Sequence, residues 1–270
     1  MSRMGVTVSF GTILFFFGLI ADGQSQATRI DTRPGVTVHL LLAVPKSEPK
    51  GIFVIFPGGP GLVWLRNNQL RRDFPVVPEM FAEQGFVAAV VHAPSDQPKG
   101  FAGGREFRGQ KEHVEDSQKI VDYLAQKWNK PVFLLGHSSG DASVTNMALS
   151  LKDERIKGII MAAPGVGAIP RFKIPIEEVT LPVLGIKHIE DNCSSFELAF
   201  KQHARFVKSP RANFVGVLGG DRSIESGCGG GELNPGGRSY THGFSGKERE
   251  VVKTITEWAL GNPVPERIGP

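Results

Sequence analysis

The sequence predicts an α/β fold with a mostly parallel central sheet flanked by helices, and three observations predict it. Apolar, β-branched runs alternate along the chain with stretches of helical period. Most of those runs are continuous instead of alternating, as expected of strands covered on both faces. The composition is globular: of 270 residues, 40% are hydrophobic and 21% charged, too apolar for a disordered chain.

The first segment stands apart from that pattern. Arg3 precedes an uncharged apolar run from Val6 to Ile20, and small residues follow at Ser25 and Ala27. This is the layout of a secretory signal peptide over residues 1–27, leaving 28–270 as one domain. The apolar run is shorter than the roughly 20 residues that span a bilayer, so no stable membrane anchor is expected. The expected location is secreted or periplasmic. There Cys193 and Cys228 face an oxidising environment and are expected to form a disulfide. The balance of 31 Lys plus Arg against 27 Asp plus Glu, without a run of five like charges, argues against nucleic-acid partners.

Strands are expected at 36–44, 51–56, 86–91, 132–135, 158–161, 183–187 and 213–218, and helices at 76–84, 110–128, 142–151, 194–208 and 245–260. In the second helix Val114, Ile120, Val121, Leu124 and Trp128 fall largely on one face, the mark of a packing helix. Two Gly-rich loops, 92–109 and 219–237, follow strands and are expected to border a site, because ligands of open α/β sheets lie beyond the carboxyl ends of the strands. Only about twenty residues separate the strand at 158–161 from that at 183–187, so no large cap domain is expected there.

The segment Pro131-Val-Phe-Leu-Leu-Gly-His-Ser-Ser-Gly140 runs a buried strand into G-x-S-x-G and then into a helix. A serine on so sharp a turn needs minimal residues two before and two after it. Gly136 and Gly140 occupy those places for Ser138. Ser139 at the centre would put His137 and Asp141 there, so Ser138 is the expected nucleophile. Earlier, Ile52-Phe-Val-Ile-Phe-Pro-Gly-Gly-Pro-Gly61 ends a strand in a glycine-rich turn. Backbone N–H groups there and after the nucleophile suit an oxyanion hole, with Ser139 as one donor. Pro60 has no N–H, so Gly59 is the expected second donor, with Gly61 behind it.

In this architecture the acid follows the nucleophile and the histidine comes last. Asp191, just past the strand at 183–187, is the expected acid, with Glu190 its alternative. His242 follows the second Gly-rich loop and is the expected base. His39, His113, His137 and His203 lie in or beside strands and helices and read as packing or solvated residues, while His188 directly follows a strand, where it could lie near the site. A Cys193–Cys228 bridge would tie the acid loop to the base loop.

The combination of Phe-Pro-Gly-Gly-Pro-Gly, Gly-His-Ser-Ser-Gly, an Asp after a late strand and a final His-Gly-Phe resembles the α/β-hydrolase superfamily over nearly all of 28–270. Pro57 departs from the His-Gly that commonly begins the oxyanion turn there. Lys187-His-Ile-Glu-Asp-Asn-Cys193 followed by Tyr240-Thr-His-Gly-Phe244 looks like a group of exported bacterial members. The Gly-Gly-Pro-Gly turn is also similar to that of proline iminopeptidases, whose helical cap this spacing does not accommodate.

The expected activity is therefore that of a serine hydrolase acting on a small-molecule ester, or an amide, through an acyl-enzyme. No cofactor or metal is expected: H-x-H, H-E-x-x-H and nucleotide-binding glycine motifs are missing from the sequence. Two alternatives stand beside it. One is a non-catalytic binding protein on the same scaffold. The other is a small serine peptidase, for which Arg105, Glu106 and Arg108 are candidate anchors of a peptide terminus.

Overall fold

The computed structural model describes residues 25–64, 70, 74, 77–101, 107–165, 167–171, 173–221 and 241–270. Its centre is one nine-stranded sheet in the order β1-β2-β4-β3-β5-β6-β7-β8-β9. The strands are β1 Gln26–Arg33, β2 Val36–Ala43, β3 Ile52–Phe56, β4 Val87–Val91, β5 Val132–His137, β6 Ile156–Ala162, β7 Val183–His188, β8 Ala212–Val217 and β9 Arg267–Ile268. β1 and β2 form an antiparallel hairpin, β2 runs antiparallel to β4, and every pairing from β4 to β9 is parallel.

The helices are α1 Pro78–Glu83, α2 Lys111–Trp128, α3 Gly140–Ser150, α4 Ala168–Arg171, α5 Phe196–His203 and α6 Glu248–Ala259. β3, β4 and β5 are buried along their whole length, which requires helices on both faces. On one face Ile120, Val121 and Leu124 of α2 and Val144 and Met147 of α3 pack against Val54, Phe56 and Leu134. On the other, Phe81 of α1 and Val251, Val252, Ile255 and Trp258 of α6 cover Phe53, Ile55 and Leu135. Aromatic burial is concentrated on that second face, where Phe53 meets Phe81, Phe86 and Phe133 at centroid distances of 5.0–5.6 Å.

All seven expected strands and all five expected helices are present, with shifted ends. Two further strands were not expected. β1, Gln-Ala-Thr-Arg-Ile-Asp-Thr-Arg, is a polar edge strand that buries only Ile30 and Thr32, and its first two residues fall within the expected leader, the rest of which up to residue 24 lies outside the described residues. β9 has only two residues. α5 stops at His203, short of the expected 208, because the chain turns there to bury Phe206, whose N–H donates to His203 O. Between β6 and β7 the described residues hold only the short α4 and a 3-10 turn at Ile176–Glu178, so among them no large cap covers the C-terminal ends of the strands.

Candidate active site

β5 enters α3 through the turn at Ser138, whose φ of +52° is rare for a residue with a Cβ. The flanking glycines are sterically required. A Cβ on Gly136 would lie 2.3 Å from Gly140 O, and one on Gly140 would lie 2.2 Å from Phe56 O. Backbone bonds hold the strained turn: Ser138 N–H donates to Ala162 O (2.9 Å) and Asp141 N–H to Ser138 O (3.0 Å). Ser138 is half-buried, and the N-terminus of α3 lies directly behind it, favouring negative charge.

The glycine-rich turn at 57–61 packs against this elbow, since a Cβ on Gly58 would meet Ser138 Cβ at 2.6 Å. Gly59 is exposed and has a φ of +59°. Among the described residues, neither the Gly59 N–H nor the Ser139 N–H donates to a backbone carbonyl. Among the described residues, both expected donors therefore lack a backbone acceptor, as oxyanion donors must.

β7 delivers the acid. Asp191, in the turn after that strand, has a fully buried carboxylate. Its Oδ2 accepts from His242 Nδ1 at 2.8 Å and from Lys187 Nζ, and its Oδ1 accepts from Cys193 N–H at 2.8 Å. Burial pushes the carboxyl up, but the bonds and charges of His242 and Lys187 outweigh it and hold it down at about 2. With Nδ1–H facing the carboxylate, the Nε2 of a neutral His242 is left as the acceptor, as a general base requires. Glu190 is exposed. Asp191, not Glu190, meets the histidine.

His242 is brought to the elbow by the residue beside the serine. His137 Nε2 donates to His242 O at 2.8 Å, and the two rings lie 5.1 Å apart. His188, in contrast, organises the loop: its Nδ1 accepts from Glu190 N–H at 3.1 Å, so its Nε2–H donates to Gly219 O at 2.9 Å.

With this geometry in view, the comparisons with known proteins divide sharply by kind. Residues 93–192 match the family model described as serine aminopeptidase, S33. No curated protein matches the sequence. Among solved structures, Est1E from Butyrivibrio proteoclasticus superposes with a TM-score of 0.58 at 16% identity, covering 87% of this chain and 98% of that one. An alpha-beta serine hydrolase homologue from Coxiella burnetii gives 0.56 at 19% identity, over 85% and 96%. A cold-adapted esterase from an Arctic intertidal metagenomic library gives 0.50 at 15%, over 72% and 82%. The chain has the α/β-hydrolase fold.

In α/β-hydrolase terms, three buried polar residues around the site are not evident from sequence. His137, expected to be a packing or solvated side chain, is buried but bonded to the base loop. Lys187, fully buried inside an otherwise apolar strand, donates to Asp191 and, at 2.8 Å, to Ser194 Oγ, which donates on to Pro164 O. A lysine in a strand covered on both faces must have an acceptor, and that was the available signal. The third is Asp141, in the first turn of α3, fully buried and pushed up to about 8 by burial, against the opposing pull of Arg108 and Lys187.

The expectation that Arg108 anchors a peptide terminus is corrected. Its side chain is fully buried, and its guanidinium is committed to Ser143 Oγ and to the carbonyls of Pro57 and Gly59. Arg105 and Glu106 lie outside the described residues, as does Cys228, the expected partner of Cys193. Asp191, Cys193 and His242 bring their donor atoms within 4.8 Å of one another. Cys193 is not a free thiol, however, and the Asp191 oxygen facing the histidine already accepts two bonds, so the grouping reads as an acid–base pair, not as a metal centre.

Proposed function

We propose that this chain is an exported serine hydrolase that cleaves a carboxylic ester of a small molecule through an acyl-enzyme. The observation that carries the proposal is the hydrogen bond between His242 Nδ1 and Asp191 Oδ2, 2.8 Å long, on a histidine whose backbone carbonyl is held by His137, the residue adjoining Ser138. An Asp-oriented imidazole beside a strained serine is an arrangement that activates a hydroxyl.

In the first half-reaction Ser138 Oγ attacks the substrate carbonyl while His242 Nε2 takes its proton. The tetrahedral oxyanion is held by the N–H groups of Ser139 and Gly59. Asp191 stabilises the imidazolium, which then gives its proton to the leaving alcohol as the C–O bond breaks. In the second, water attacks the acyl-enzyme, His242 takes its proton, and Ser138 Oγ leaves with that proton as the acid is released. The signal-peptide layout of residues 1–27 supports export, and a Cys193–Cys228 bridge in that compartment would join the loops carrying acid and base.

A peptidase reading is favoured by one observation, the match of 93–192 to a serine aminopeptidase family. Against it, Arg108 is unavailable to a peptide terminus. The experiment is hydrolysis of a panel of p-nitrophenyl esters and aminoacyl p-nitroanilides by the mature protein, with Ser138→Ala and His242→Ala as controls. Ester turnover lost in both variants supports the proposal, turnover of the anilides alone moves the reading to a peptidase, and turnover retained in either variant sinks the assignment. No turnover of either class by the folded protein favours the non-catalytic binding protein.

A further inference from the structure

Every carbonyl of the turn Pro57–Gly61 faces a donor. Gly58 O accepts from Gly61 N–H (3.2 Å), Pro60 O from Phe101 N–H (3.0 Å) and Gly61 O from Ala93 N–H (3.0 Å). The remaining two, Pro57 O (2.6 Å) and Gly59 O (3.1 Å), both accept from Arg108 Nη2. The same guanidinium donates through Nη1 to Ser143 Oγ (2.8 Å) in the first turn of α3 and stacks 4.2 Å from the Phe101 ring centre. The backbone carbonyl of Arg108 accepts from Asn146 Nδ2 (3.1 Å), so both ends of the residue are fastened to α3.

This arrangement has a directional consequence. A trans peptide points its N–H opposite its C=O. The two carbonyls held by Arg108 flank the Gly58–Gly59 peptide, whose own carbonyl is held by Gly61, so rotation of that peptide is blocked from both sides. Its N–H is that of Gly59. We propose that Arg108 is a positioning residue of the oxyanion hole, fixing the Gly59 N–H relative to the elbow by clamping the turn to α3. This inference rests on the hydrolase reading above.

The chemistry of the side chain suits the task. A planar guanidinium can donate in several directions at once, to the turn on one edge and to the helix on the other, whereas an ammonium is a single centre. Glycine-rich backbone, here with positive φ at Gly59 and Gly61, has little stiffness of its own and needs such a clamp.

The test compares wild type with Arg108→Lys and Ser143→Ala, each checked for folding by circular dichroism and thermal melting. Kinetics on the best p-nitrophenyl ester are combined with inhibition by a boronic acid that forms a tetrahedral adduct. Clamping predicts a fall in kcat of about 10- to 100-fold in Arg108→Lys, less than the roughly 100- to 1000-fold that outright loss of an oxyanion donor costs, because the donor is loosened and not removed. KM stays within about twofold, and boronate affinity falls in parallel with kcat/KM. Ser143→Ala, which removes the side-chain tether of Arg108 and the partner of His113 Nε2 but leaves the Asn146 bond and both bonds to the turn, shows a smaller loss of the same kind and serves as the decisive variant if Arg108→Lys does not fold. A kcat unchanged in a folded variant, or a loss confined to KM, overturns the inference. If wild type itself turns over no ester, the hydrolase reading fails, and hydrogen exchange decides the clamp separately. Faster exchange of the Gly61 amide in the variants supports it, and unchanged exchange overturns it.

Discussion

Lys187 and His242 share a single acceptor atom, Asp191 Oδ2. A second cation on that oxygen competes with the histidine for the carboxylate's charge. Among the described residues, Asp191, Cys193 and the His137 ring lie close to His242, while Asp141 acts on Lys187 from α3. Removing the ammonium in Lys187→Met takes away one of the two partners that hold the Asp191 carboxyl down at about 2, so that carboxyl rises. The acid limb of the kcat/KM profile is expected to move to higher pH by about one unit, at the low end of what one nearby charge does. A limb that stays in place while kcat falls would mean that Lys187 only packs the loop.

Gly140 at the elbow and Gly58 in the turn packed against it should respond differently to alanine. At Gly140 the new Cβ meets backbone oxygen of β3 at 2.2 Å, and neither element can yield without disturbing the sheet. Gly140→Ala is expected to cost about 3 kcal/mol or more in urea unfolding, at the upper end for overpacking. Gly58→Ala instead pushes a methyl against Ser138 Cβ, so activity should fall by far more than stability. Equal stability of wild type and Gly140→Ala would contradict the tight turn.

The same steric demand makes the elbow legible in the sequence. Gly136 and Gly140 are required by backbone contact, a local constraint that leaves its trace in adjacent letters, and the strand before and helix after are long enough to show their periods. Asp191 and His242 follow from chain order. The polar clamp does not, because Arg108 sits among other charged and glycine residues in a loop and looks solvated. Its burial arises from α3 and the turn at 57–61, which lie 35 and 51 positions away in sequence. β1 is invisible for a related reason: an edge strand needs only Ile30 and Thr32 inside, too few to stand out against polar residues.

Stability should peak near neutrality for reasons the buried histidines supply. Burial holds His92 and His203 down at about 4 and His113 well below its ordinary 6.5, with Arg108 and Arg33 adding to the effect at His113. Below pH 6.5 the unfolded chain therefore binds three protons that the folded chain refuses, and stability falls with pH. Asp141, raised to about 8, works in the opposite sense between 3.8 and 8 and cancels one of the three. The net of two protons gives about 3 kcal/mol per pH unit between 6.5 and 4. Above 6.5 Asp141 alone remains and stability declines gently toward 8. Urea midpoints measured from pH 4 to 8 test this, and a flat profile from 6.5 down to 4.5 would contradict it. His203→Phe should flatten the acid side by about one proton.

Covalent labelling shows whether Ser138 is an activated nucleophile. Mature protein is treated with a fluorophosphonate probe, beside Ser138→Ala and a heat-denatured sample, and the adduct is located by peptide mass spectrometry. The account predicts a single adduct on Ser138 in the native protein and none in either control. A folded protein that takes up no probe, or one that is labelled on Ser139 or another serine, would contradict it.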